Sequence, residues 1–102
     1  MTPTNAEAAA FNPGYAARFA ALKRRFVAGL PARWSAIALA SGGSDVQRAE
    51  LHRLAGAAGS FGYTALGDAA RVAERSSTAD SGSDLSTLHA LLLETIRIEP
   101  AM

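Results

Sequence analysis

Few side chains in this sequence can do covalent or acid–base chemistry. There is no cysteine, which removes disulfides, thiol nucleophiles and cysteine-type zinc sites together. Two histidines remain, His52 and His89. They lack the spacing and the carboxylate company of a metal site, so no metal is expected. Ser60 has no base on its own helical face. Gly56, Gly59 and Gly62 do not form a phosphate loop of the nucleotide-binding type, because no Gly-Lys-Ser/Thr follows them. An imidazole is therefore the one candidate reactive group, and an ordinary imidazole is mostly neutral, hence nucleophilic, at pH 7.

His52 lies in the stretch Leu51-His-Arg-Leu-Ala-Gly-Ala-Ala-Gly-Ser-Phe-Gly-Tyr63. At about 100° per residue, Leu51, Leu54, Ala58 and Phe61 share one side of a helix. His52 falls roughly 140° from the centre of that stripe by the same arithmetic. It should face solvent. Its helical neighbours are Arg48 and Ala49 on one side, and Ala55, Gly56 and Gly59 on the other. A glycine inside a helix costs ~1 kcal/mol against alanine, so two beside one exposed imidazole need a reason. One reason is access for a partner's backbone or a phosphoryl group. The other is the close approach of a neighbouring helix. His89 sits at the edge of another apolar stripe and reads as a boundary residue.

The elements that must position His52 are helices. Alanine is abundant and β-branched residues are few, which favours helix over strand. The first helix starts near Asn12-Pro13, a cap followed by a proline suited to the first helical position. Tyr15, Phe19, Leu22, Phe26, Leu30, Trp34 and Ile37 recur at helical spacing and form one face. Pro31 interrupts the hydrogen bonding but not the register, so one long helix kinked near Gly29–Pro31 is expected, with two abutting helices as the alternative. Ser44 and Gln47 resemble a capping box opening a second helix from about Asp45 to Gly59. Thr64 should cap a third, ending near Glu74 or Arg75, with Leu66, Ala69, Ala70 and Ala73 as a thin apolar face. Ser83 or Asp84 should cap a fourth, lined by Leu85, Leu88, Leu92 and Ile96 and ended by Pro100. Short joints favour antiparallel neighbours. The expectation is an all-α, up-down-up-down four-helix bundle over about 12–99, in one domain spanning 1–102, with 1–11 as an N-terminal arm.

Composition fits this picture. The chain has 102 residues, 49% of them apolar and 19% charged, with net charge +1. That is one domain with one modest core. A near-neutral charge argues against a nucleic-acid binder, and the cluster Lys23-Arg24-Arg25 reads as a solvated helix face. No apolar run approaches the ~18 residues of a membrane span. Residues 1–10 lack a basic leader and a long apolar stretch, so a cytoplasmic protein is expected.

The stretch around His52 resembles the signature of the histidine phosphotransfer (HPt) domain family. In that family the histidine is followed by lysine at the third position, glycine at the fourth and glycine at the tenth. His52, Gly56 and Gly62 match, and Phe61 and Tyr63 match the aromatic residues that often flank the last glycine. The lysine position is Ala55 here. Arg48, one helical turn before His52, is the first candidate to supply that charge, with Arg53 and Arg71 behind it; arginine binds phosphate well through its planar fork. The resemblance implies a phosphoryl carrier that is not an enzyme and has no autokinase activity. His52 would accept a phosphoryl group from a receiver-domain aspartyl phosphate and pass it to another receiver aspartate. The partners implied are receiver domains of a hybrid histidine kinase or a response regulator. Ala49, Arg53 and Arg71 are candidate docking residues, while Arg48, Ala55, Gly56 and Gly59 surround the phosphoryl group. The chain itself needs no cofactor, since Mg²⁺ belongs to the receiver, and a monomer is expected. The alternative is a docking module that regulates a receiver or kinase without carrying phosphate.

Overall fold

The computed structural model describes residues 13–76 and 82–98. Four helices account for nearly all of them: α1 (Pro13–Leu39), α2 (Asp45–Ser60), α3 (Thr64–Arg75) and α4 (Gly82–Ile98). There is no strand among the described residues. Successive helices pack on one another, and α1 closes the bundle by packing on α4. None of these helices is long and apolar enough to cross a membrane. The residues expected to form an N-terminal arm, the Asn12 cap and the Pro100 stop lie outside the described residues.

The core is a column of small and medium apolar side chains. Phe26, Val27, Leu30 and Ile37 come from α1, and Leu51, Leu54, Ala55 and Ala58 from α2. Leu66, Ala70 and Ala73 come from α3, and Leu88 and Leu92 from α4. Trp34, Phe61, Ala69, Leu85 and Ile96 pack at its margins. Trp34 stacks on His89 across the α1–α4 seam, with ring centroids 4.2 Å apart and planes 4° from parallel. His89 is thus half-buried at a helix boundary.

α1 is a single helix that continues through Pro31, not two abutting ones. Its apolar face is only partly used. Tyr15, Phe19 and Leu22, expected in the core, are exposed by 52%, 40% and 49%. The cause is length. At 1.5 Å per residue α1 spans about 40 Å and α2 about 24 Å, so the first turns of α1 project beyond their neighbours. Phe19 reaches back to the ring of Phe61 at 5.6 Å. In the basic cluster, Arg24 and Arg25 are solvated, while Lys23 lies over the Tyr63 ring.

The start of α2 is fastened to the end of α1. Ser44 caps it by accepting from the Gln47 backbone N–H at 3.1 Å. The Gln47 side chain is buried and works in both directions. Its Oε1 accepts from Gly43 N–H, and its Nε2 donates to the carbonyl of Ile37 at 3.2 Å. The reciprocal half of the expected box therefore goes to Gly43 and Ile37.

The end of α2 is a backbone stop. Tyr63 N–H donates to Ala58 O at 2.9 Å and Gly62 N–H to Gly59 O at 3.2 Å, the paired bonds of a Schellman motif. This requires a left-handed residue, and Gly62 has φ +83°. Phe61 and Tyr63, on either side, stack on Phe26 at 5.3 and 5.8 Å. Tyr63 is also the N-cap of α3, accepting from Gly67 N–H at 2.9 Å. Thr64, expected as that cap, is instead the first helical residue, because the corner is closed by backbone groups alone. α4 begins at Gly82, so Ser83 and Asp84 lie in its first turn and its cap falls outside the described residues. The Asp84 carboxylate accepts from the Ser76 hydroxyl, tying the end of α3 to α4.

α2 and α3 meet at small residues. A Cβ placed on the buried Gly67 would lie 3.4 Å from the carbonyl of Ala55 and 3.6 Å from Ala58 Cβ and Gly59 N. A methyl fits there with little adjustment, and a longer side chain does not. Gly67→Leu should therefore lower the stability to urea by about 1–3 kcal/mol, the usual cost of overpacking, while Gly67→Ala stays close to wild type. Equal midpoints for all three proteins would show that the two helices do not depend on this contact.

Candidate functional site

His52 projects from the middle of α2 with 77% of its side chain exposed. That is the outward direction its offset from Leu51, Leu54 and Ala58 implies. It has one partner. Its Nδ1 lies 3.1 Å from Oε1 of Glu74, near the end of α3. An ionised carboxylate only accepts hydrogen bonds, so Nδ1 is the donor in a neutral ring. The lone pair then sits on Nε2, the nitrogen turned from Glu74. The arrangement orients the imidazole and selects its tautomer in one contact.

The two helices form an open groove around this ring. α2 contributes Arg48, His52, Ala55 and Gly56, and α3 contributes Arg71, Glu74 and Arg75. The glycines have separate roles. A Cβ on Gly56 would meet nothing within 4 Å, so Gly56 does not admit a neighbouring helix; it leaves open space beside His52. A Cβ on Gly59 would lie 3.6 Å from Arg71 Nη2, so Gly59 lies under the Arg71 guanidinium. Close helix approach, the other reason considered for these glycines, belongs to Gly67. Gly62 is a helix stop, as its backbone shows.

Ala55, at the signature's lysine position, is 3% exposed and forms part of the groove floor. A lysine there would start from the packed α2–α3 seam. Arg48 is turned back towards its own N-terminus. It donates to Gly43 O at 2.8 Å and pairs with Asp45. Arg53 pairs with Glu50 at 2.7 Å. Arg53 and Ala49 are both exposed on α2 but do not line the groove. Arg71 lines it and pairs with Asp68 at 3.3 Å. No three His, Asp or Glu side chains among the described residues are grouped to hold a metal ion.

Glu74, Arg75 and Gly67 belong to this arrangement and are not singled out by local spacing. Glu74 is 22 positions from His52 and on another helix, so no periodicity links them. The signal available was geometric: a third helix packed beside the second through small residues brings one of its turns against His52.

If Glu74 sets the tautomer, Glu74→Ala should move neutral His52 towards the Nε2–H form. ¹⁵N NMR of the imidazole reads this directly. The same tautomer balance in both proteins would mean that the carboxylate does not hold Nδ1 in solution.

The family model described as the Hpt domain matches residues 21–97. Comparison with curated proteins and with solved structures gave no match. The matched span runs from the third turn of α1 almost to the end of α4 and takes in every residue of the groove. It covers most of the chain, so the protein belongs to the Hpt domain family, the phosphocarriers of two-component signalling.

Proposed function

We propose that this protein is a phosphorelay intermediate that carries a phosphoryl group on His52. The observation behind this is one ring in one setting: an exposed imidazole, held at Nδ1 by Glu74, beside open space at Gly56. In this reading Nε2 attacks the phosphorus of a receiver's aspartyl phosphate in line. The Nε2 lone pair forms the N–P bond. The P–O bond to the aspartate breaks, and its electron pair leaves on the carboxylate oxygen. Nδ1 keeps its proton, so the ring becomes cationic. Glu74 faces that proton and steadies the charge. The reverse steps deliver the phosphoryl group to a second receiver aspartate. Mg²⁺ and the other catalytic groups come from the receiver, and the carrier supplies position and charge complementarity, the main demands of phosphoryl transfer.

The same reading makes the chain a monomeric single domain acting in the cytoplasm, without nucleic acid or membrane as partner. Its helices run alternately up and down, as short connections favour. Receiver domains of a hybrid kinase or response regulator dock over the groove, with Ala49 and Arg53 at the rim. One observation favours a second reading, a docking module that carries no phosphate: the buried Ala55 stands where the family has lysine.

Transfer from a ³²P-labelled phospho-receiver separates the two. Wild type should take up acid-labile, base-stable label, and His52→Gln should take up none while keeping its stability within ~0.5 kcal/mol, as for an exposed substitution. Gly56→Leu should fold and transfer far more slowly, because its side chain fills the approach to His52. Binding of the receiver without labelling of wild type would favour the docking module. Wild-type transfer rates in Gly56→Leu would refute the access role of that glycine.

A further inference from the structure

On the reading that His52 carries phosphate, we propose that the cations holding its phosphoryl oxygens come from α3, as Arg75 with Arg71, and not from α2. A phosphoryl group on Nε2 adds up to two negative charges beside a carboxylate. Glu74 faces the same groove and would repel it. Some positive charge must offset both, and the signature's own solution is missing because position 55 is an alanine buried in the helix seam.

The three arginines on α2 and α3 that were first in line are unequally available. Arg48 lines the groove too, but its guanidinium is engaged twice towards its own N-terminus, by Asp45 and by Gly43 O, and turning it to a phosphoryl group competes with both contacts. Arg53 pairs with Glu50 and lies outside the groove. Arg71 has a single, long ion pair at 3.3 Å, and its Nη2 already lies over Gly59, where the lack of a Cβ lets it pass. Arg75 is one turn further along the same edge. It is exposed, lines the groove, and makes no ion pair with any described residue. Arg71 and Arg75 line the same groove as Glu74, so α3 brings two cations to the side of His52 that carries the carboxylate. A guanidinium fork can donate to two phosphoryl oxygens at once, while a lysine would supply the same charge as a point. Dianion recognition has moved from the histidine's helix to the helix beside it.

The test loads His52 with phosphoramidate, a small donor that bypasses any receiver, and follows the phosphoryl group by ³¹P NMR. A nearby cation favours the fully ionised phosphoryl group. Arg75→Gln should therefore raise the midpoint of its last deprotonation by about one unit, and Arg71→Gln should raise it by less. The Arg75→Gln phosphohistidine should also decay faster. Arg75→Lys should restore the midpoint, which a merely structural residue would not do. Arg48→Gln should leave it unchanged. A midpoint that moves in Arg48→Gln and stays put in Arg75→Gln would overturn the assignment in favour of α2. If wild type takes no phosphoryl group on Nε2, the carrier reading itself fails and this assignment goes with it. Loading that is normal but indifferent to all the arginines overturns the assignment alone.

Discussion

The contact on which this structure depends is the close approach of α3 to α2 at Gly67. A buried glycine facing Ala55, Ala58 and Gly59 lets two backbones pass within van der Waals range of one another. Ala70 and Ala73 continue the thin face along α3. Only with α3 this close can a side chain as short as glutamate span the gap to His52 Nδ1. The groove, the two arginines that α3 brings to it and the tautomer of the imidazole all follow from that spacing. The other packing surfaces are more tolerant. They use leucines and aromatic rings, which adjust by changing rotamer, whereas two apposed backbones cannot.

Much of this was legible in the order of residues, and the limits have physical causes. The outward direction of His52 follows from the rotation per residue and from the stripe Leu51, Leu54, Ala58. Four helices, their approximate ends, and the all-α class follow from periodicity and punctuation. Glu74 was not legible, because periodicity describes one helix at a time and the contact joins two. The exposure of Tyr15, Phe19 and Leu22 was hidden for a related reason: spacing says which residues share a face but not how far the opposing helix extends. Thr64 looked like a cap because its hydroxyl is suitable. The corner was closed by Tyr63 and Gly62 backbone groups, which carry no side-chain signature. Gly62 illustrates the converse. A glycine that belongs to a motif around a reactive residue can be there for its φ alone.

The charges of the molecule are arranged to be reused. Arg48, Arg53, Arg71 and Arg97 each pair with an acid three positions earlier on the same helix. Exposed pairs of this kind contribute little to stability, typically well under ~1 kcal/mol. The longest of them, Arg71–Asp68, opens for a partner at the smallest cost, whereas Arg48 has its bond to Gly43 O to give up as well. What they provide is a resting place for guanidinium groups, so that the surface around His52 is neither strongly basic nor bare before an anion arrives. The buried Gln47 is the opposite case. Its buried hydrogen bond to the Ile37 carbonyl joins α1 to α2 where water competes poorly, and losing it leaves a buried carbonyl unmatched.

The Trp34–His89 stack has an optical consequence. Trp34 is the sole tryptophan of the chain, and its ring belongs to the α1–α4 seam, while His52 and its groove belong to the α2–α3 seam. Its emission reports on an interface that neither touches nor lines the groove. Separation of α1 from α4 removes the ring from its stacking partner and exposes it to water, which changes its emission, while events confined to the groove leave its surroundings as they are. The molecule therefore carries an intrinsic gauge of bundle integrity that is silent about its own chemistry.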